Sequence, residues 1–280
     1  MKTNEIHVRD PFVLPWEGKY YLYGTRGPTC WGLADGFDVY VGKDLENWEG
    51  PIEIFHNDGS FWADREYWAP EVHVIDGAFY MFASFHSPDR RRGTQILRAE
   101  KPTGPFVPIS DGPVTPADWE CLDGTFFRSK DGDPYLVFCH EWLQVHDGEV
   151  CAMKLTPDLK AAAGEPRVLF RASQAPWVVP SVDKDGNKNG VTDGPWLHRC
   201  PDGRLMMLWS SHGKDGYAQA AAYSDNGDIT GNWTPAAEPI FGRDGGHGMI
   251  FRDFEGVQHL VLHAPNENPY ERPVFLPFEE

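Results

Sequence analysis

Four carboxylates and a histidine stand at matching places in this sequence: Asp10 before Pro11, Glu71 after Pro70, Asp123 and Asp193 each before a glycine, and His247 between two glycines. Taken singly, an aspartate beside glycine or proline is ordinary turn chemistry, because its side chain caps nearby backbone N–H groups. Four acids at corresponding positions ask for more, since like charges gathered around one space cost stability unless they hold a cation or react. Two carboxyl groups can hydrolyse a glycosidic bond with inversion. One, protonated, donates to the leaving oxygen, and the other, ionised, activates water from across a gap of roughly 6.5 to 9.5 Å. A third carboxylate beside the acid raises its pKa by repulsion and keeps its proton in place near neutral pH.

Such residues converge only if the elements that carry them repeat. Five segments line up: RDPFVLPWEGKYYLYGT from Arg9, WAPEVHVIDGAFYMFAS from Trp68, LDGTFFRSKDGDPYLVF from Leu122, TDGPWLHRCPDGRLMMLWS from Thr192 and GHGMIFRDFEGVQHLVLH from Gly246. Each runs into an apolar strand, turns at a glycine in WEGK, IDGA, KDGD, PDGR or FEGV, and returns as an aromatic-rich strand. Glycine supplies the positive φ that such tight turns require. After most of these hairpins a further strand pair can be read, as in DVYVGKDLENWEGPIEIF and TQILRAEKPTGPFVPI, which makes four strands per unit. Units of this kind at intervals of about 50 to 70 residues are the pattern of propeller blades. The expected fold is therefore all-β: a single domain over residues 1–280, a five-bladed β-propeller with four-stranded antiparallel blades around a central channel. A β-sandwich would leave the self-similarity unexplained, β-helix repeats are much shorter, and segment 155–164 has room for one helical turn. In a propeller the residues opening each repeat face the channel, which brings together Asp10, Glu71 (one residue beyond the strict register), Asp123, Asp193 and His247.

Composition agrees with this architecture. Aromatic residues make up 14% of the chain, and 29 glycines and 24 prolines are spread along it, which suits short strands and tight turns. A net charge of −17 argues against nucleic acid and against an anionic membrane, both of which need clustered Lys and Arg. Neutral sugars meet no such objection. The N-terminal MKTNEIHVRDPF has no apolar core of a signal peptide, and no apolar run is long enough to span a bilayer. A soluble, cytoplasmic protein is expected. The five cysteines (Cys30, Cys121, Cys139, Cys151, Cys200) are odd in number and widely spaced, as buried reduced thiols would be. The stretch DKDGNKNG at 183–190 has the alternating oxygen donors of a calcium loop. No register, however, gives it both glycine at position six and glutamate at position twelve, and it reads as a solvated loop.

In this order and spacing, RDPFVLPWEGKYYLYGT, WAPEVHVIDGAFYMF, LDGTFFRSKDGDPYLVF, DGPWL and GGHGMIF followed by LVLHAPN resemble glycoside hydrolase family 43 over nearly the whole chain. The resemblance implies an inverting glycosidase that needs no cofactor for its chemistry. It matches Asp10, in R-D-P, to the general base, Asp123 to the aspartate that orients the acid and tunes its pKa, and Asp193 to the general acid. At that last position the family usually has Glu in E-G-P. The side chain here is one methylene shorter, so either the backbone comes closer or proton donation is impaired. By the same resemblance Trp68, in Trp-Ala-Pro, packs on the sugar, Glu71 contacts sugar hydroxyls, Trp196 has a looser substrate-binding role, and His247 lies near the channel floor beside a structural calcium. A neutral imidazole is a poor ligand for that hard cation, so contact through water is expected. The implied substrates are oligosaccharides with terminal α-L-arabinofuranosyl or β-D-xylosyl units, cleaved in exo fashion, with arabinofuranosidase activity leading. The alternative is a sugar-binding propeller with impaired catalysis. Asp193 speaks for it, and Asp10 and Asp123 speak against it.

Overall fold

The five hairpin glycines, Gly18, Gly77, Gly132, Gly203 and Gly256, all adopt positive φ, between 74° and 89°, and each turns the chain from the first strand of a sheet into the second. In the computed structural model, which describes residues 1–279, blade 1 consists of Val8–Trp16, Lys19–Arg26, Gly36–Gly42 and Trp48–His56. Blade 2 consists of Arg65–Ile75, Ala78–Ser87, Arg90–Ala99 and Val107–Pro108, and blade 3 of Cys121–Arg128, Pro134–His140, Glu149–Lys154 and Arg167–Arg171. Blade 4 consists of Asp193–Arg199, Leu205–Gly213, Gly216–Ser224 and Trp233–Pro235, and blade 5 of Gly246–Arg252, Gln258–Ala264 and Arg272–Pro277. Strands pair antiparallel in chain order within each blade, and the first strands of consecutive blades touch in a closed cycle, blade 5 returning to blade 1. The fold is a five-bladed β-propeller.

Its apolar core lies between blades. One cluster joins blades 1 and 2 through Phe37, Tyr67 and Phe85 and reaches Phe251 of blade 5. Others join blades 2 and 3 through Phe82 and Phe138, blades 3 and 4 through Phe170 and Trp209, and blades 4 and 5 through Leu208 and Leu262. An aromatic-rich second strand is what this arrangement demands, because both faces of each blade are covered.

The last blade departs from the expected four strands: it has three among the described residues. The N-terminal turn Thr3–Glu5 packs against its outer strand. Side chains seal the seam, where the buried Glu271 accepts from Arg9 at 2.6 Å and lies 3.1 Å from His7 Nε2. The one α-helical turn among the described residues is Trp142–Val145, while segment 155–164 closes on itself through a bridge between Leu155 and Ala162. All five cysteines are buried, and none is in a disulfide among the described residues. The DKDGNKNG stretch is an exposed loop within a small hairpin, Ser181–Val182 against Lys188–Asn189, with Asp183 capping the N–H groups of Asp185 and Asn187. No helix among the described residues is long and apolar enough to cross a membrane.

Candidate active site

The innermost strand of every blade slips against its neighbour at the same place. Arg9 faces Thr25, Trp68 faces Ser84, Leu122 faces Cys139, Asp193 faces Ser210 and Gly246 faces His263, and after each of these pairs the inner strand carries one extra residue. The residue following the pair takes a left-handed backbone: Asp10 at φ 53°, Ala69 at 47°, Asp123 at 57°, Gly194 at 53° and His247 at 49°. A bulge of this kind re-aims side chains, and its backbone costs a residue with a Cβ some strain. Hydrogen bonds across the blade interfaces hold it. Ala69 N–H donates to Thr25 Oγ1, Asp123 N–H to Ser84 Oγ and His247 N–H to Ser210 Oγ, each at 2.8 Å, and Asp10 N–H donates to His263 Nδ1 at 3.2 Å. Each acceptor belongs to the slipped pair of the preceding blade. Blade 3 has only the Cys139 thiol there, and the N–H of Gly194 goes instead to Asp123 Oδ2 at 3.0 Å.

This register revises the alignment read from the sequence. Asp10, Asp123 and His247 are equivalent, but Asp193 lies one residue earlier and Glu71 two residues past Ala69, its blade's equivalent position. In blade 4 the reason is steric. A Cβ at Gly194 would stand 2.7 Å from Cδ2 of His247 and 2.8 Å from its Cγ. Glycine must therefore hold the left-handed position, and the acid comes from the residue before it.

Asp10, Asp123, Asp193, His247 and Trp68 line one cavity of about 450 Å³. Glu71 and Trp196 are not in its lining. Glu71 accepts from Thr125 Oγ1 at 2.5 Å and lies 3.0 Å from His73 Nε2, tying blade 2 to blade 3. Trp196 packs at the blade interfaces and stacks beside His198. Each stands two residues past its blade's left-handed position, and because one of those two is the inserted residue, the side chain falls on the opposite face of the strand.

The three aspartates differ in charge habit. Burial opposes ionisation of Asp10, yet the His247 ring 3.2 Å from its Oδ1, the Arg9 guanidinium and the Thr25 hydroxyl, donating to Oδ2 at 2.6 Å, hold its pKa below the usual aspartate range. For Asp193, burial and the adjacent Asp123 carboxylate push the pKa up to about 7. Burial and Asp10 drive Asp123 upward as well, so the Asp123–Asp193 pair retains a proton at neutral pH. Tyr217 Oη donates to Asp193 Oδ2 at 2.8 Å, and burial keeps that phenol protonated. Burial pushes His263 down to about 4. It is therefore neutral, accepting from Asp10 N–H at Nδ1 and meeting Asn266 Oδ1 at Nε2, 3.1 Å away. One ionised and one protonated carboxyl group in a single cavity make a general base and a general acid available together.

Several lining residues escaped the sequence reading, among them Tyr217, Arg9, Arg92, Glu66 and Trp31. Arg92 stacks its guanidinium 3.7 Å from the Trp68 ring centroid and is clamped by Glu66 at 2.7 Å and Glu141 at 3.4 Å. Trp68 Nε1 donates to Cys30 O at 2.6 Å, which fixes the indole, and Trp31 meets its edge at 5.4 Å. Tyr217 and Arg92 come from third strands and Trp31 from a connecting loop, outside the hairpins whose sequence repeats. Arg9 alone carried a signal, as the neighbour of Asp10.

Calcium requires roughly six to eight oxygen donors. Among the described residues no group of three or more His, Cys, Asp or Glu side chains is placed to hold a metal. His247 Nδ1 faces the two aspartates, Asp10 at 3.2 Å and Asp123 at 3.7 Å. The side chains alone make no calcium cage among the described residues, so an ion beside His247 would be held through water.

Comparison with known proteins follows the same lines. The model of glycosyl hydrolases family 43 matches residues 4–277. A xylosidase/arabinosidase of Bacteroides ovatus is 22% identical over 302 residues, covering 93% of this chain and 87% of that protein. Among solved structures, an endo-arabinase from Bacteroides thetaiotaomicron superposes with a TM-score of 0.92 at 38% identity, over 100% of this chain and 97% of that one. A β-xylosidase/α-arabinofuranosidase from a compost metagenome, solved with xylotriose in a calcium-free form, shares the fold with a TM-score of 0.73 at 18% identity, over 99% of this chain and 92% of that one. With its family pattern spanning all five blades, the chain belongs to glycosyl hydrolases family 43 and is a glycoside hydrolase.

Proposed function

We propose that the protein is an inverting exo-glycosidase that removes terminal α-L-arabinofuranosyl, or β-D-xylosyl, units from oligosaccharides. The observation that carries this reading is the opposite poise of two carboxyl groups in one cavity, Asp10 held ionised and Asp193 raised to about 7. Asp10 takes a proton from water as that water attacks the anomeric carbon. Asp193 gives its proton to the departing glycosidic oxygen. Tyr217 occupies Asp193 Oδ2, which leaves Oδ1 to carry and deliver the proton. Asp123 acts through Asp193, raising its pKa and fixing its backbone through the Gly194 N–H. Trp68 offers a ring face to the sugar, and His247 steadies Asp10. A cytoplasmic site of action, with oligosaccharides in preference to polymers, belongs to the same proposal.

A panel of nitrophenyl glycosides tests the sugar, and proton NMR of the first-formed product tests inversion. Arabinose released as the anomer opposite to the substrate is the expected result; retention would overturn the mechanism, and binding without turnover would favour the impaired sugar-binding propeller. The name of the endo-arabinase relative favours a second reading, internal cleavage of arabinan. Early products separate the two, since exo action releases monosaccharide from the first turnovers and internal cleavage releases oligosaccharides.

A further inference from the structure

The catalytic cavity does not end at its own walls. Arg92, Glu141 and Leu143 line it and also line an adjoining cavity of about 390 Å³. That second cavity shares His86, Arg91, Arg92 and Glu120 with a third of about 720 Å³, the largest of the three. Together they form one groove that leaves the catalytic aspartates over the rim of blades 2 and 3. Its charges are mixed and nearly balanced. Arg90 and Arg91 stand among Asp89, Asp111 and Glu120, with Arg91 paired to Glu120 at 2.7 Å. Pro113, Pro116 and Ala117 add small apolar patches. Interleaved donors, acceptors and apolar patches suit sugars, whose hydroxyls both donate and accept and whose ring faces are apolar.

We propose that this groove holds the leaving-group side of the substrate, a neutral oligosaccharide chain running on from the cleaved unit. The inference rests on the exo reading above: when the terminal unit fills the catalytic cavity, whatever extends beyond it is leaving group. Binding along the groove then contributes to kcat/KM through parts of the substrate remote from the bond broken.

The test compares a nitrophenyl monoglycoside with the matching di-, tri- and tetrasaccharides. For the native enzyme, kcat/KM rises from di- to tetrasaccharide. Ala117→Trp, which puts a large ring into the cavity of about 720 Å³, and Arg91→Ala each lower the ratio of tetrasaccharide to nitrophenyl kcat/KM about tenfold. The nitrophenyl rate in the same preparation shows that the variant is folded, and Arg91→Ala decides the matter if Ala117→Trp loses both activities. A native enzyme indifferent to chain length, or ratios unchanged in the variants, overturns the proposal. Should the native protein hydrolyse no pentoside, the exo reading fails on its own. Calorimetric titration with the same oligosaccharides then decides the groove: affinity that grows with length and is lost in Ala117→Trp supports it, and affinity independent of both overturns it.

Discussion

In blade 1 the inner-strand bulge puts an aspartate, Asp10, at its left-handed position, while in blade 4 the same bulge puts Gly194 there and the aspartate one residue earlier. The two carboxyl groups line one cavity and take opposite habits. Asp10 has a hydroxyl donor, an imidazole and a guanidinium around it, all of which favour the anion. Asp193 feels the same His247 ring and also accepts from the Tyr217 phenol, yet burial and the Asp123 carboxylate prevail and raise it. The acid carried one residue earlier in the bulge of blade 4 is thus raised by the Asp123 carboxylate, where Asp10 is held down by the Arg9 guanidinium and the Thr25 hydroxyl. The repeat supplies position, and each blade's own neighbours supply protonation state.

The largest effect should come from the ionised side. Asp10→Ala removes water activation, which is needed whatever group departs, and should lower kcat by about 10³-fold for every substrate while binding survives. A variant that loses affinity as much as rate would show Asp10 to be a positioning residue. Asp193→Ala should break the comparison from the other side. Loss of the acid costs about 10²-fold or more with poor leaving groups and far less with dinitrophenyl glycosides, whose leaving oxygen needs no proton. Equal losses across leaving groups would take Asp193 out of the acid role.

Asp193→Glu asks whether the shorter side chain fits its place. Tyr217 already meets Asp193 Oδ2 at 2.8 Å, and a further methylene of about 1.5 Å would carry the carboxyl past that phenol. Misplacement on this scale should lower kcat by about tenfold or more. A rise in kcat instead would mean that the native acid is too short, and the sugar-binding alternative would gain.

The fold was legible because its signals are local and repeated: five glycine turns, five apolar strands and five aromatic returns. Asp10, Asp123, Asp193, Trp68 and His247 were legible because they sit on the repeated strand. The exact register was not, because a bulge shifts side chains by one residue without changing the composition around them. Hence Glu71, assigned to the channel, lies between blades with Thr125 and His73, and Ala69, silent in the sequence, occupies the equivalent position. Tyr217 and Arg92 were beyond reach for another reason. They come from third strands that follow the hairpins, and their approach to Asp193 and Trp68 depends on how the whole ring closes.

Two smaller changes should move the pH profile in opposite directions. Asp123→Asn keeps an oxygen to accept the Gly194 N–H but removes the negative neighbour that helps raise Asp193. The acid then ionises sooner. The alkaline limb of kcat/KM, expected near pH 7 for the native enzyme, should move to lower pH, and the rate at neutral pH should fall about tenfold. An unmoved limb would leave Asp123 with a structural role alone.

Tyr217→Phe should do the reverse. The phenol donates to Asp193 Oδ2 and so favours the anion, lowering a pKa that burial and Asp123 raise. Without that hydrogen bond the proton is held more tightly, and the alkaline limb should shift to higher pH. The same bond reserves Oδ1 for the proton, so its loss lets the proton reside on either oxygen, and kcat should fall about threefold at pH values where the acid is fully protonated. A merely structural tyrosine would lower activity without moving the limb. If the limb moves down with Tyr217→Phe, as it should with Asp123→Asn, then Tyr217 is not holding the ionised form of Asp193, and the pKa of the acid is set by burial and Asp123 against His247.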